Sequence, residues 1–117
     1  MSAATDLIVR YYDALGRRDI EAVMAVMHPE ISFQDFLEGG ELAGVSAVRA
    51  FHQRMFDTLA PDFDLITVSV QPDSRLRVEM QVATHDRMGH LWSDTRSYAL
   101  FALVDGLIHG IELQAAA

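Results

Sequence analysis

Three side chains in this sequence combine reactive chemistry with a placement that could use it: Tyr11, Asp35 and His52. A phenol can donate to an oxygen that gains charge, as the oxygen of an enolate does. A carboxylate that loses hydration in an apolar cavity becomes a stronger proton acceptor. An imidazole can relay a proton or orient either partner. Together they suit proton abstraction next to a carbonyl, or an aldol-type ring closure. Each also has a plain structural reading. Tyr11 can be a core residue with a wet hydroxyl, Asp35 a solvated strand end just before Gly39, and His52 a core histidine with its hydrogen bonds satisfied. Burying an unpartnered polar group costs about 1–3 kcal/mol, so three inward polar groups are expected to meet one another or to line a wet cavity.

The elements that position them follow from periodicity. Residues 5–16 read as a helix with Thr5 as N-cap, Asp6 at its positive end and Gly16 as terminator. Leu7, Ile8, Tyr11, Ala14 and Leu15 share one arc, Tyr12 lies on its edge, and Arg10 and Asp13 point away. Asp19 is a candidate cap for a second helix carrying Ile20, Val23, Met24 and Met27, which Pro29 stops. Ile31 to Phe36 alternates like a strand, with Ile31, Phe33 and Asp35 on one face, and Gly39, Gly40 and Gly44 mark an irregular connection. A third helix spans 45–60, its apolar arc made by Val45, Val48, Phe51, Met55, Phe56 and Leu59, with His52 inside that arc and Arg49, Gln53, Arg54 and Asp57 opposite. Pro61 is expected to end it.

Beyond Pro61 the period becomes two. Strands are expected at 63–70, 75–85, 91–104 and 107–113, and Asp105-Gly106 is a strong hairpin signal. The reading is an α+β domain in the order α-α-β-α-β-β-β-β, its helices packed on a curved antiparallel sheet. Such a sheet leaves a cone whose open end can hold a pocket. Phe33, Met55, Phe56, Trp92 and Tyr98 are the candidate lining residues. Trp92 alternates with Asp94, Arg96 and Tyr98, so this face supplies either an aromatic wall with a polar pair or an outer face for dimerisation. The opposite parity of Ser93, Thr95, Ser97, Ala99 and Phe101 is small enough to leave cavity space, and either face could be the inner one.

Composition bounds the functions. The 117 residues fit one domain, 1–117, and half of them are hydrophobic, too many for a disordered tail. No apolar run approaches the roughly 20 residues of a membrane helix. A net charge of −8 repels phosphate backbones and anionic lipids, so neither nucleic acid nor membrane is an expected partner. The chain has no cysteine, which removes disulfides and thiol chemistry. No signal peptide is visible, so a cytoplasmic protein is expected. His85, His90 and His109 have no metal-binding spacing, and phosphate-loop and dinucleotide motifs are missing, so no metal and no cofactor are expected. The expected partners are a small apolar molecule and a second copy pairing through the sheet. The methionines at 24, 27, 55 and 80 fall at core periodicity.

Four local patterns, in order, carry a resemblance. They are Arg10-Tyr11-Tyr12-Asp13-Ala14-Leu15 followed by Arg18-Asp19-Ile20; Met27-His28-Pro29-Glu30 leading into a strand; Gly44 with Val48-Arg49-Ala50-Phe51-His52; and Val104-Asp105-Gly106-Leu107-Ile108. Over nearly the whole chain they resemble the NTF2-like superfamily, in its SnoaL-like and ketosteroid-isomerase-like branch. The isomerases of that branch use a first-helix tyrosine as oxyanion donor and a first-strand aspartate as base, and Tyr11 and Asp35 fall at those positions. His52 falls near a position where they carry a supporting tyrosine. Their second oxyanion donor, a late-strand acid, has no counterpart here, where the stretch reads Ser97-Tyr98-Ala99-Leu100. The resemblance implies a cofactor-independent acid–base isomerase or cyclase for a small apolar carbonyl compound, polyketide- or steroid-like, held in the cone pocket. A non-catalytic binding module and a dimerisation module are its alternatives, and the fold's epoxide hydrolases, with an Asp-Arg-Asp network, match only at Asp94 and Arg96.

Overall fold

Helix α1 (Ala3–Arg17) forms because Leu7, Ile8, Tyr11, Tyr12, Ala14 and Leu15 give it one buried stripe. This computed structural model describes residues 3–35, 38–58, 60–86 and 88–114. Thr5 lies inside the helix, not at its cap, and Gly16 does not end it. The end is instead a Schellman turn: Asp19 N–H donates to Ala14 O and Arg18 N–H to Leu15 O, both at 3.1 Å, with Arg18 left-handed at φ 53°.

Helix α2 (Ile20–Ala25) is capped by Asp19, whose carboxylate accepts the Ala22 N–H at 3.1 Å. It is shorter than its periodicity suggests. Met27 and Pro29 belong to strand β1 (Met27–Gln34) rather than to the helix. The Val26 N–H turns back on Met24 and Val23, while its carbonyl accepts the Ile108 N–H at 2.8 Å and so docks the chain on the sheet. Pro29 is tolerated because the ladder beside β1 is interrupted between Met27 and Ser32.

A three-residue strand β2 (Glu41–Ala43) lies in the glycine-marked connection, where no strand is expected from the sequence. Helix α3 (Val45–Thr58) then buries Val48, Phe51, His52 and Met55. Strands β3 (Ala60–Val70), β4 (Leu76–His85), β5 (Leu91–Val104) and β6 (Leu107–Gln114) complete the sheet in the order β2-β1-β6-β5-β4-β3. Pro61 sits inside β3, paired with Thr84, and not at a helix end; β3 is an edge strand, where a missing N–H is harmless. The sheet is antiparallel except for β1 and β6, which run parallel. Phe36 of the expected first strand, Leu59 of the expected third helix and Arg87, between the strands expected at 75–85 and 91–104, lie outside the described residues.

Register decides which face the helices cover. Val78 pairs with Ala99 and Leu76 with Phe101, and all four are buried. The parity of Ser93, Thr95, Ser97, Ala99 and Phe101 is therefore the inner one. Trp92, Asp94, Arg96 and Tyr98 stand on the outer face, where Arg96 pairs with Glu79 at 2.6 Å and Gln81 bridges Arg96 and Asp94. Asp105 and Gly106 both take positive φ, 55° and 74°, in the tight turn expected between β5 and β6.

Candidate functional site

Tyr11 from α1 and His52 from α3 meet in the core. The Tyr11 hydroxyl lies 2.9 Å from His52 Nε2, and His52 Nδ1 lies 2.8 Å from the Val48 carbonyl one turn earlier. A carbonyl only accepts, so Nδ1 carries the proton and donates it. Burial pushes the His52 pKa down from its ordinary 6.5 to about 4, against a smaller upward pull from the Val48 hydrogen bond, so the ring is neutral at pH 7. In that tautomer Nε2 holds a lone pair, and the Tyr11 O–H donates to it. Burial, with Tyr12 as a lesser cause, raises the Tyr11 pKa well above the usual phenol value. The pair stays neutral with its mutual proton on the phenol.

Aromatic rings exclude water around it. Phe33, Phe51 and Phe56 lie 5.2, 5.3 and 6.5 Å from the His52 ring centroid, and Phe101 lies 5.9 Å from that of Tyr11. Tyr12 completes the cluster against Phe63 and Phe101. The plain structural reading of Tyr11 is corrected by its burial: its hydroxyl does not reach water but meets His52. His52 has both nitrogens engaged.

Asp35 is held by a different set of groups. It follows the last residue of β1 on the inner parity of Ile31 and Phe33, and only 4% of it is exposed, so it is not a solvated strand end. Its Oδ1 accepts the Glu38 N–H at 2.9 Å, and its backbone closes the same loop through Gly39 and Gly40. Its Oδ2 lies 3.4 Å from Arg54 of α3, a half-exposed guanidinium that also reaches Glu38 at 3.9 Å. Arg54 is the group that periodicity misses: at two residues from His52 it reads as outer helix face, and only the return of the loop after β1 brings the carboxylate beneath it.

Of the lining candidates, Phe33 and Met55 are buried and Phe56 is half-buried on the inner side. Trp92 and Tyr98 stand on the other face of the sheet. Trp92 is 66% exposed with its indole N–H donating to Asp86 at 3.2 Å, and Tyr98 lies under the Arg77 guanidinium. Two clefts, of about 560 and 590 Å³, open elsewhere. One crosses the outer face between Ser32, Glu41, Arg75 and His109; the other lies between the start of α1 and the β5–β6 turn. Neither is lined by Tyr11, Asp35 or His52.

The family profile of the SnoaL-like domain matches residues 8–111. The chain belongs to the SnoaL-like domain family. No curated protein matches it significantly. Solved structures share the fold at low identity. A proposed polyketide cyclase of Sinorhizobium meliloti is 21% identical with a TM-score of 0.80, the alignment covering 97% of this chain and all of that one. Another, from Xanthomonas campestris pv. campestris, is 24% identical with a TM-score of 0.79, over 95% and 88% of the two chains. RV0760c of Mycobacterium tuberculosis, solved in complex with estradiol-17beta-hemisuccinate, is 15% identical with a TM-score of 0.84, over 99% and 95%. The fold is NTF2-like, and no helix of the described residues is long and apolar enough to cross a membrane.

Proposed function

We propose that this chain is a cofactor-independent isomerase or cyclase that binds a small apolar carbonyl compound and uses Asp35 as its base. The observation that supports it is the buried Asp35 carboxylate beside the Arg54 cation, at the end of an inner-face strand. In this reading Asp35 takes a proton from the carbon next to the carbonyl and returns it at another carbon, or the carbanion adds to a second carbonyl of the same molecule, closing a ring as that C=O bond opens to an alkoxide that takes the proton back from Asp35. The guanidinium stands where it can offset negative charge gathering on the carbonyl oxygen, a role the engaged Tyr11 hydroxyl does not fill. Tyr11 and His52 are positioning residues, tying α1 to α3 behind Phe33. The estradiol-17beta-hemisuccinate complex of the mycobacterial neighbour supports a small, largely apolar ligand.

The test is Asp35→Asn, which keeps an acceptor for the Glu38 N–H and removes the base. Across a panel of unsaturated ketones and polyketide-like substrates, turnover is expected to fall by about 10²-fold or more. Unchanged turnover removes the assignment. A second reading, ligand binding without turnover, is favoured by the commitment of the Tyr11 proton to His52 and by the acid-free stretch Ser97–Leu100. It predicts an apolar ligand bound equally well by the wild type and the Asp35→Asn variant, with no product from either. In both readings the chain pairs with a second copy through the outer sheet face, where Trp92 is exposed; a monomer in sedimentation at micromolar concentration removes that part.

A further inference from the structure

We propose that His28, Glu30 and His109 form a binding site for one divalent first-row transition-metal ion, such as zinc, on the outer face of the sheet. One ligand atom from each of these side chains lies within 4.8 Å of the others. The topology makes this meeting, since no sequence motif joins residues so far apart. His28 and Glu30 share the outward parity of β1, and His109 follows Ile108, whose partner in the parallel β1–β6 pairing is Met27. The two imidazoles pack edge to face with centroids 5.0 Å apart.

Two nitrogens and a carboxylate oxygen are a donor set that zinc and its neighbours accept. Tetrahedral zinc, at about 2.0–2.2 Å from each donor, draws them to about 3.3–3.5 Å from one another, so no pair has to close by more than about 1.5 Å. The exposed Glu30 side chain has the freedom to supply that movement. His28 Nδ1 accepts the Glu30 N–H at 3.0 Å, which places the proton on Nε2, 3.9 Å from the Asp105 carboxylate. Whichever nitrogen takes the ion, the Glu30 N–H contact is given up and passes to water. If Nδ1 binds, the Nε2–H remains 3.9 Å from the Asp105 carboxylate, which a small rotation could bring into the outer-sphere pairing common to metal-bound histidine.

The site lies over the interruption in the β1–β6 ladder between Met27 and Ser32, where Pro29 has no N–H to give. An ion would tie the two strands where hydrogen bonds do not. Three protein ligands leave a fourth position for water, beside the outer cleft that His109 helps to line. This site is on the opposite face from Asp35 and stands or falls independently of the acid–base proposal.

The experiment is titration of untagged, metal-stripped protein with cobalt(II) chloride, read by its visible absorption, then competition with zinc chloride. Expected is one cobalt per chain with the band of a four- or five-coordinate ion, displaced by one equivalent of zinc. Glu30→Gln, His28→Ala and His109→Asn should each weaken cobalt binding by about 10-fold or more. Glu30→Gln changes an exposed side chain and keeps the question open to test if a histidine variant misfolds. The control His85→Asn with His90→Asn should bind as the wild type does. A featureless titration, or wild-type affinity in Glu30→Gln and His109→Asn, overturns the proposal.

Discussion

The buried neutral state of His52 makes the stability of this protein depend on pH in a calculable way. In the unfolded chain the imidazole takes up a proton near its ordinary 6.5, whereas in the folded core it resists until about pH 4. Between those values the unfolded state binds more protons, so stability rises with pH and is lost as pH falls from 6.5 towards 4. The whole gap is worth about 3 kcal/mol at about 1.4 kcal/mol per pH unit, of which about 2 kcal/mol is gone by pH 5. For a domain of this size, stable by about 6–18 kcal/mol, that is a large fraction. Wild type and His52→Gln should be unfolded in urea and followed by far-UV circular dichroism at pH 7, 6 and 5. The glutamine variant should be the less stable at pH 7, because it fits the aromatic cluster poorly. The difference between the two should narrow by about 2 kcal/mol at pH 5, since glutamine does not titrate and every other group is common to both. A difference constant to within about 0.5 kcal/mol would refute a neutral, dry His52.

Tyr11→Phe should destabilise by about 1–3 kcal/mol in the same assay, because it leaves the His52 Nε2 lone pair buried without a donor; no loss would mean that water replaces the hydroxyl. Arg18→Gly should stabilise by about 0.5–1 kcal/mol, since it puts the residue best suited to a left-handed turn at the end of α1; a drop in melting temperature would count against strain at that turn. Arg54→Gln should cost about 1 kcal/mol, a modest figure because the guanidinium is half-exposed and screened, and should lower any turnover that Asp35→Asn abolishes; full activity would remove Arg54 from the site.

The sequence announced the elements better than their joins. Helix α3 was legible because six apolar residues and His52 fall on one arc, and the β5–β6 turn because Asp-Gly between apolar runs admits the left-handed backbone it needs. Met27 reads equally as helix or strand, because a position four after Val23 is inward on a helix and also starts an inward strand parity, and only docking against Ile108 decides between them. Strand β2 is three residues long, too short for periodicity to register. The parallel pairing of β1 with β6 joins the first strand to the last, which no local pattern encodes. The inner face of β5 became known only through its register with Val78 and Leu76.

The same division explains the site. Periodicity can say that Tyr11, Asp35 and His52 point inward, because that is a property of each element alone. Which of them touch is a property of packing. A histidine whose Nδ1 is held by the carbonyl one turn back has one nitrogen left, and in a dry cluster that nitrogen accepts. Tyr11 is thereby fixed as a donor to protein, and the inward polar groups separate into a neutral pair and an ion pair. Only the ion pair carries charge to offer a reaction. A rate profile that bends between pH 5 and 8 would therefore not be the titration of His52 or Tyr11, whose neutral forms persist across that range, and its source would have to be sought in the substrate or elsewhere in the site. A bend that survived in the His52→Gln variant would support that separation, and its disappearance there would return His52 to the chemistry.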